Sequence, residues 1–370
     1  MSKAFLLQLA ALWLLLISDA AAEVDFIFAP EAVHRFATLP ESAPFPEGIA
    51  VDKASGDLFV STADFTLRGK PNKILRFAKT GKLEAVRDVS SAPVLGLAFY
   101  EGYLYLANTE ALLGQHSKIQ RIKADFDADT ALEDVAIVPA VGAPAERDVV
   151  NIDKSVDMIR FGSHGVSLPN AITIHKKPTA EGTQTTLYFS DSFQGVIFKI
   201  DKLDTCSLPC PVTTVSHDPL LATANHAFGI AANGIALSHD AIQLYIANLG
   251  DDRILRLDLP SGEVEVFAKD IARPDGIAFD AHGNLWVCSL TENEIVVLNS
   301  AARVIAKLGS FRGVNNKGEV LGLLGPASLV FNNNSVFVTN FVFPQIPAFV
   351  GANDVTVFTV AEIPVPAALR

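Results

Sequence analysis

The sequence predicts an all-β fold, a six-bladed β-propeller whose last blade is closed by the N-terminal strand. Three observations point there. One unit of turn dipeptide, alternating apolar strand, short turn, second strand and third strand recurs six times. The strands alternate with period two and are rich in β-branched and aromatic residues between Gly, Asn and Asp punctuation. The chain carries no long amphipathic helix pattern.

The first 22 residues stand apart. Lys3 opens a short basic region, Ala4 to Ile17 is apolar apart from Gln8, and Ala20-Ala21-Ala22 offers small residues at a cleavage position. This reads as a secretory signal peptide, residues 1–22, leaving 23–370 as a single propeller domain. A membrane anchor is the other reading, but the apolar run falls short of the ~20 residues that cross a bilayer. No later stretch is apolar and long enough to span. The expected location is extracellular, or periplasmic in a bacterium.

Removing 22 of the 370 residues leaves 348, about 58 per unit, more than the ~40–45 of compact blades. The first unit opens at Pro46-Glu47-Gly48 and runs through Leu58-Phe59-Val60 to Ile74-Leu75. The second holds Leu95-Gly96, Tyr103 to Asn108 and Lys118 to Ile122. The third holds Pro169-Asn170-Ala171, Leu187 to Ser190 and Val196 to Ile200. The fourth holds Asn233-Gly234, Leu244 to Asn248 and Arg253 to Leu257. The fifth holds Pro274-Asp275-Gly276, Asn284 to Val287 and Glu294 to Leu298. The sixth holds Pro326-Ala327-Ser328, Val336 to Val338 and a third strand expected at Val355 to Phe358. Residues 124–167 and 201–231 read as loop-rich insertions. Val33 to Ala37 resembles the outer strand Val264 to Ala268, so the N-terminus is expected to supply the missing outer strand of the sixth blade.

The formal net charge is −12, with 49% apolar and 19% charged residues. That composition excludes a disordered chain and argues against a phosphate-backbone partner, so no nucleic acid is expected. Cys206 and Cys210 are expected to pair as a local disulfide; a metal half-site is the alternative, but no second Cys/His pair matches its spacing. Cys288 reads as a buried free thiol and Trp286 as core.

The chemistry lies in one register. The residue before the Gly or small residue that opens each innermost strand is Glu47, Leu95, Asn170, Asn233, Asp275 and Ala327 in turn. Innermost strands line the channel of a propeller, so these positions converge at one mouth. Four of them bear oxygen. Two buried carboxylates without a cationic partner repel, and a divalent cation removes that cost. Oxygen donors without Cys or His select Ca²⁺ first, with Mg²⁺ or Mn²⁺ possible. Taken singly, Asn-Gly and Asp-Gly are common turn dipeptides. Four in a shared register are expected to form a metal set.

On these residues, and on Arg273 to Asp280 with Gly283 to Val287, the chain resembles the gluconolactonase/regucalcin family of senescence-marker type, and more distantly the paraoxonases and strictosidine-synthase-like propellers. The resemblance implies a propeller holding a catalytic divalent metal in its tunnel. Glu47, Asn233 and Asp275 match the family's ligands and Asn170 its additional Asn, with Asp275 as the catalytic residue. The implied activity is hydrolysis of lactones, and in relatives of aryl esters or phosphotriesters, on a small-molecule substrate. Two departures stand out. Gly48 and Ala171 replace Asp residues that hold a second calcium in paraoxonases, and Asn108-Thr109 stands where those enzymes carry a His.

Substrate-pocket candidates are the residues ending the second strands, Asn108, Asp191, Asn248 and Asn340, with His164 and His226 in loops ahead of Asn170 and Asn233. Turn capping is the plainer role for the strand ends. No G-x-S-x-G, H-E-x-x-H or P-loop sequence is present. Since a fold does not fix a function, a secreted binding propeller with a structural calcium is the alternative.

Overall fold

The computed structural model describes residues 26–150, 152–161, 165–179, 182–225 and 229–370. The expected leader, residues 1–22, lies outside them, as do His164 and His226.

Six four-stranded antiparallel units follow one another along the chain. Blade 1 is Pro46–Val51, Leu58–Thr62, Asn72–Phe77 and Leu83–Ser90. Blade 2 is Val94–Tyr100, Tyr103–Asn108, Lys118–Lys123 and Glu133–Ile137. Blade 3 is Pro169–Thr179, Gly182–Asp191, Val196–Asp201 and Thr213–Ser216. Blade 4 is Ala232–Leu237, Gln243–Asn248, Arg253–Asp258 and Val264–Lys269. Blade 5 is Pro274–Phe279, Leu285–Ser289, Glu294–Leu298 and Val304–Leu308. Blade 6 takes Pro326–Asn332, Ser335–Asn340 and Thr359–Pro364 from the C-terminal end and His34–Thr38 from the N-terminal end. The architecture is the six-bladed β-propeller that the sequence predicts.

Ring closure is visible in the register: His34 pairs with Glu362 and Thr38 with Thr359, antiparallel. The third strand of blade 6 is Thr359–Pro364 rather than Val355 to Phe358. The alternation Val355-Thr356-Val357-Phe358 is equally strand-like in sequence, but a short 3₁₀ turn at Ala352–Asp354 delays the strand's entry. The two loop-rich stretches each contain an outer strand, Glu133–Ile137 and Thr213–Ser216. Both are short, Glu133–Ile137 opens on two acidic residues and Thr213–Ser216 is mostly polar, which hid them. Ile27–Ala29 adds an unforeseen fifth strand, parallel to Val304–Leu308 of blade 5.

The packing explains why the strands are apolar on both faces. Successive side chains along a strand point to opposite faces of its sheet. In blade 1, Leu58 and Val60 pack toward Phe337 and Val360 of blade 6, while Phe59 packs with Leu97 and Leu104 of blade 2. Four more such clusters fill the remaining blade interfaces. Trp286 and Cys288 are both fully buried between blades 5 and 6. The Trp286 indole donates to Asp280 Oδ2 at 3.0 Å, satisfying the polar handle of an otherwise apolar ring.

Candidate active site

All six innermost strands break register at the same step. The antiparallel pairing skips a residue between Pro46 and Ile49, Val94 and Leu97, Pro169 and Ile172, Ala232 and Ile235, Pro274 and Ile277, and Pro326 and Leu329. Each is a β-bulge, and the residue it displaces is Glu47, Leu95, Asn170, Asn233, Asp275 or Ala327. A bulge re-aims a side chain and leaves backbone groups without ladder partners.

In blades 1, 3 and 6 those backbone groups are satisfied by hydroxyls from the neighbouring strand. Ser61 Oγ accepts from Gly48 N at 2.9 Å and donates to Leu95 O of the next blade at 2.7 Å. Ser190 Oγ accepts from Ala171 N at 3.0 Å and donates to Asn233 O at 2.6 Å. Thr339 Oγ1 accepts from Ser328 N at 3.0 Å and donates to Glu47 O at 2.6 Å. Each hydroxyl thus fixes a bulge in its own blade and the ring residue of the blade beside it. The corresponding residues in blades 2, 4 and 5 are Ala107, Ala247 and Cys288, each just before the residue paired with the strand's start. These locking residues were missed from sequence. Their signal was the run Ser, Ala, Ser, Ala, Cys, Thr at the next-to-last position of the six second strands.

The ring is tight. A Cβ on Gly48 would lie 2.4 Å from Leu95 O, and one on Gly234 would lie 2.2 Å from Asp275 O. Glycine is required at these two places by close approach, not by backbone conformation.

Glu47, Asn170, Asn233 and Asp275 are all buried. Burial pushes the Glu47 carboxyl well above the usual carboxylate range, and the neighbouring Asp275 charge pushes it further. Burial likewise raises Asp275, against a hydrogen bond donated by the Asn233 side chain. Glu47 Oε2 is buried and makes no hydrogen bond. Asn170 Nδ2 donates to Ser192 Oγ at 3.0 Å, and Ser192 Oγ donates onward to Ala232 O at 2.7 Å. With its amide nitrogen engaged in this way, Asn170 keeps its carbonyl oxygen as an acceptor. Burial also raises the Cys288 thiol, with the Asp275 and Glu47 charges adding to it.

The donor chemistry fits a hard divalent cation. Two buried carboxylates act on each other, one oxygen is orphaned, and two amides can offer oxygen. Among the described residues no three His, Cys, Asp or Glu side chains gather, so the set is carboxylate and amide only.

The strand-end candidates are engaged elsewhere. Asn108 donates to Gln120 Oε1 at 2.9 Å and accepts from Ser90 Oγ at 3.1 Å. Asp191 accepts from the backbone of Leu168, Phe193 and Gln194 and from Gln194 Nε2. Asn248 donates to Leu220 O and Ala222 O and accepts from Asp251 N. Asn340 accepts from Leu324 N and donates to Thr359 Oγ1. All four side chains are engaged within the fold, Asn108 between neighbouring strands and the other three chiefly with loop backbone.

Residues 222–309 match the family model described as the SMP-30/gluconolactonase/LRE-like region. That bears out the resemblance read from the sequence. The matched stretch spans blades 4 and 5 and includes Asn233 and Asp275. No curated protein matches the chain in a sequence comparison. Among solved structures, the calcium-binding regucalcin from Agrobacterium tumefaciens superposes with a TM-score of 0.58 at 15% identity, covering 92% of this chain and 95% of its own. A gluconolactonase from Xanthomonas campestris gives 0.50 at 16%, covering 95% and 99%. A virginiamycin B lyase from Staphylococcus aureus gives 0.51 at 17%, covering 90% and 99%. At these identities the likeness is one of fold.

Proposed function

We propose that this protein is a secreted, divalent-cation-dependent hydrolase of lactones or related esters. The observation that carries the reading is the pair of buried carboxyls, Glu47 and Asp275, each raised by burial, with Glu47 Oε2 lacking any hydrogen-bond donor. Glu47, Asn170, Asn233 and Asp275 would hold the ion, Ca²⁺ first by donor type. When bound, the cation would supply Lewis-acid polarisation of the substrate carbonyl.

The chain's own residues supply the proton chemistry. Asp275 Oδ accepts a proton from the attacking water as the new C–O bond forms, and returns it to the ring oxygen as the lactone C–O bond breaks, giving a hydroxy acid. The Asn233 amide, which donates to the Asp275 carboxyl, orients it. Asn170, tethered to Ser192, presents oxygen without adding charge.

Secretion is part of the proposal. The basic, apolar and small-residue pattern of residues 1–22 supports it. So does the Cys206–Cys210 bridge, with its Cα atoms 5.5 Å apart, since disulfides persist in oxidising compartments. Among the described residues no helix is long and apolar enough to cross a membrane.

The test is metal analysis of the purified protein with a lactone and aryl-ester panel, before and after chelation. Chelator-sensitive turnover is expected, restored by Ca²⁺, Mg²⁺ or Mn²⁺. Asp275→Asn should lower kcat by at least about a hundredfold, the low end for a lost general base. Metal bound without chelator-sensitive turnover would instead favour a binding propeller with a structural ion.

A further inference from the structure

Two of the four proposed ligands are amides, and an amide serves a cation only when its oxygen faces the ion. Asn233 is oriented by its neighbour, because its side chain donates to the Asp275 carboxyl. Asn170 is oriented by another route. Its amide nitrogen meets Ser192, the residue that follows the second strand of blade 3.

Every polar group of Ser192 is spent. Its backbone N–H donates to Leu168 O at 2.9 Å, and its carbonyl accepts from Ala231 N at 2.9 Å. Its hydroxyl lies 2.7 Å from Ala232 O and 3.0 Å from Asn170 Nδ2. The residue is fully buried. A hydroxyl carries one hydrogen, and a backbone carbonyl has none to give. The Ser192 proton therefore goes to Ala232 O, and toward Asn170 the hydroxyl can only accept. Turning the Asn170 amide over would set its oxygen against a lone pair of Ser192 and aim its N–H groups at the ring, at the expense of a buried hydrogen bond.

Among the described residues no other blade repeats this device. The residue after the second strand is Ala63, Leu249, Leu290 and Phe341 in blades 1, 4, 5 and 6. Blade 2 has Thr109 there, but its hydroxyl donates to Pro93 O at 2.8 Å, and the ring residue of that blade is Leu95. Ser192 also reaches Ala232, the residue before Asn233, so one hydroxyl ties together the segments that carry both amides.

We infer that Ser192 is a positioning residue that fixes the Asn170 amide with its oxygen toward the tunnel, so that blade 3 offers the ring an acceptor and not a donor. The inference rests on the proposed cation site of the hydrolase and adds a residue that acts on it through Asn170.

Asn170→Asp separates this role from plain support of the fold. The new side chain has oxygen at both ends, so its orientation carries no consequence, while the bond from Ser192 to Ala232 is kept. Calorimetry measures Ca²⁺ affinity for the wild type, Ser192→Ala, Asn170→Asp and the double variant. Ser192→Ala should weaken binding about tenfold in the wild-type background, equivalent to ~1.4 kcal/mol, and no more than about twofold in the Asn170→Asp background. No loss in the wild-type background, or a loss at least as large in the Asn170→Asp background, would overturn the inference and leave the cation site standing. If the wild type binds no divalent cation, the hydrolase reading falls and Ser192 is judged by neutron diffraction of the deuterated wild type. The same measurement decides the matter if Ser192→Ala does not fold. Deuterium on Asn170 Nδ2 pointing at Ser192 Oγ, with the Ser192 deuteron on the line to Ala232 O, supports the assignment. The reverse amide orientation, or a Ser192 deuteron directed at Asn170, overturns it.

Discussion

Asp191 shows how a single side chain can look like a pocket residue and be something else. It is fully buried at the end of a second strand, a place where substrate could be met, yet its two oxygens collect donors from Leu168, Phe193 and Gln194. Burial outweighs those donors and lifts its carboxyl from 3.8 to about 6. The folded state therefore binds this proton more tightly than the unfolded chain does. Its contribution to stability is complete below pH 3.8 and is lost as pH rises through about 6. The full swing is of order 3 kcal/mol. Asp191→Asn cannot titrate, and it also places an amide where backbone N–H groups expect an acceptor. The variant should be less stable at every pH, with the gap to wild type narrowing from pH 4 to pH 7. Urea unfolding midpoints at those two values check this; a gap that stays constant or widens would contradict the assignment.

At the scale of the strand, the bulge is the device that makes the site. Six innermost strands carry it at one step, and the ring residues owe their common register to it. That register was legible in sequence, because Glu47-Gly48, Asn233-Gly234 and Asp275-Gly276 announce themselves as dipeptides. The hydroxyl locks were not, since Ser61, Ser190 and Thr339 sit inside apolar strands and their partners are backbone atoms of another blade. The third strand of blade 6 was misplaced for a related reason: local alternation cannot tell which of two adjacent apolar runs finds a partner. Gly234 is where the bulge is least forgiving. Its missing Cβ would sit 2.2 Å from the Asp275 carbonyl and 2.8 Å from Gly276 Cα, so Gly234→Ala must push blade 5 away from blade 4. The expected cost is ~1–3 kcal/mol of stability. Because the displaced residue is Asp275, affinity for the proposed cation should fall as well. Calorimetric unfolding paired with Ca²⁺ titration tests both, and a variant with unaltered affinity would show that the ring tolerates the shift.

The whole molecule depends on a joint between its two ends. His34–Thr38 is the outer strand of blade 6, and its neighbour in the sheet comes from more than three hundred residues later in the chain. Ala37 and Leu39 are buried with Phe337 and Val360, so the joint is apolar as well as hydrogen-bonded. Ile27–Ala29 repeats the arrangement on blade 5, and Arg312 pairs with Glu31 between the two strands. Cleavage after residue 22 would leave both strands intact, so the proposed leader and the closing strand do not compete for the same residues. Without the closing strand, Thr359–Pro364 becomes an open edge of a kind that invites intermolecular pairing. A chain beginning at residue 23 should therefore unfold in one cooperative transition. One beginning at residue 40 should lose that cooperativity or aggregate, and a peptide of residues 26–39 supplied in trans should restore part of the transition. Differential scanning calorimetry with light scattering reads all three. Equal stability of the two chains would mean that the blade interfaces alone hold the ring, and that the N-terminal strand decorates the propeller without closing it.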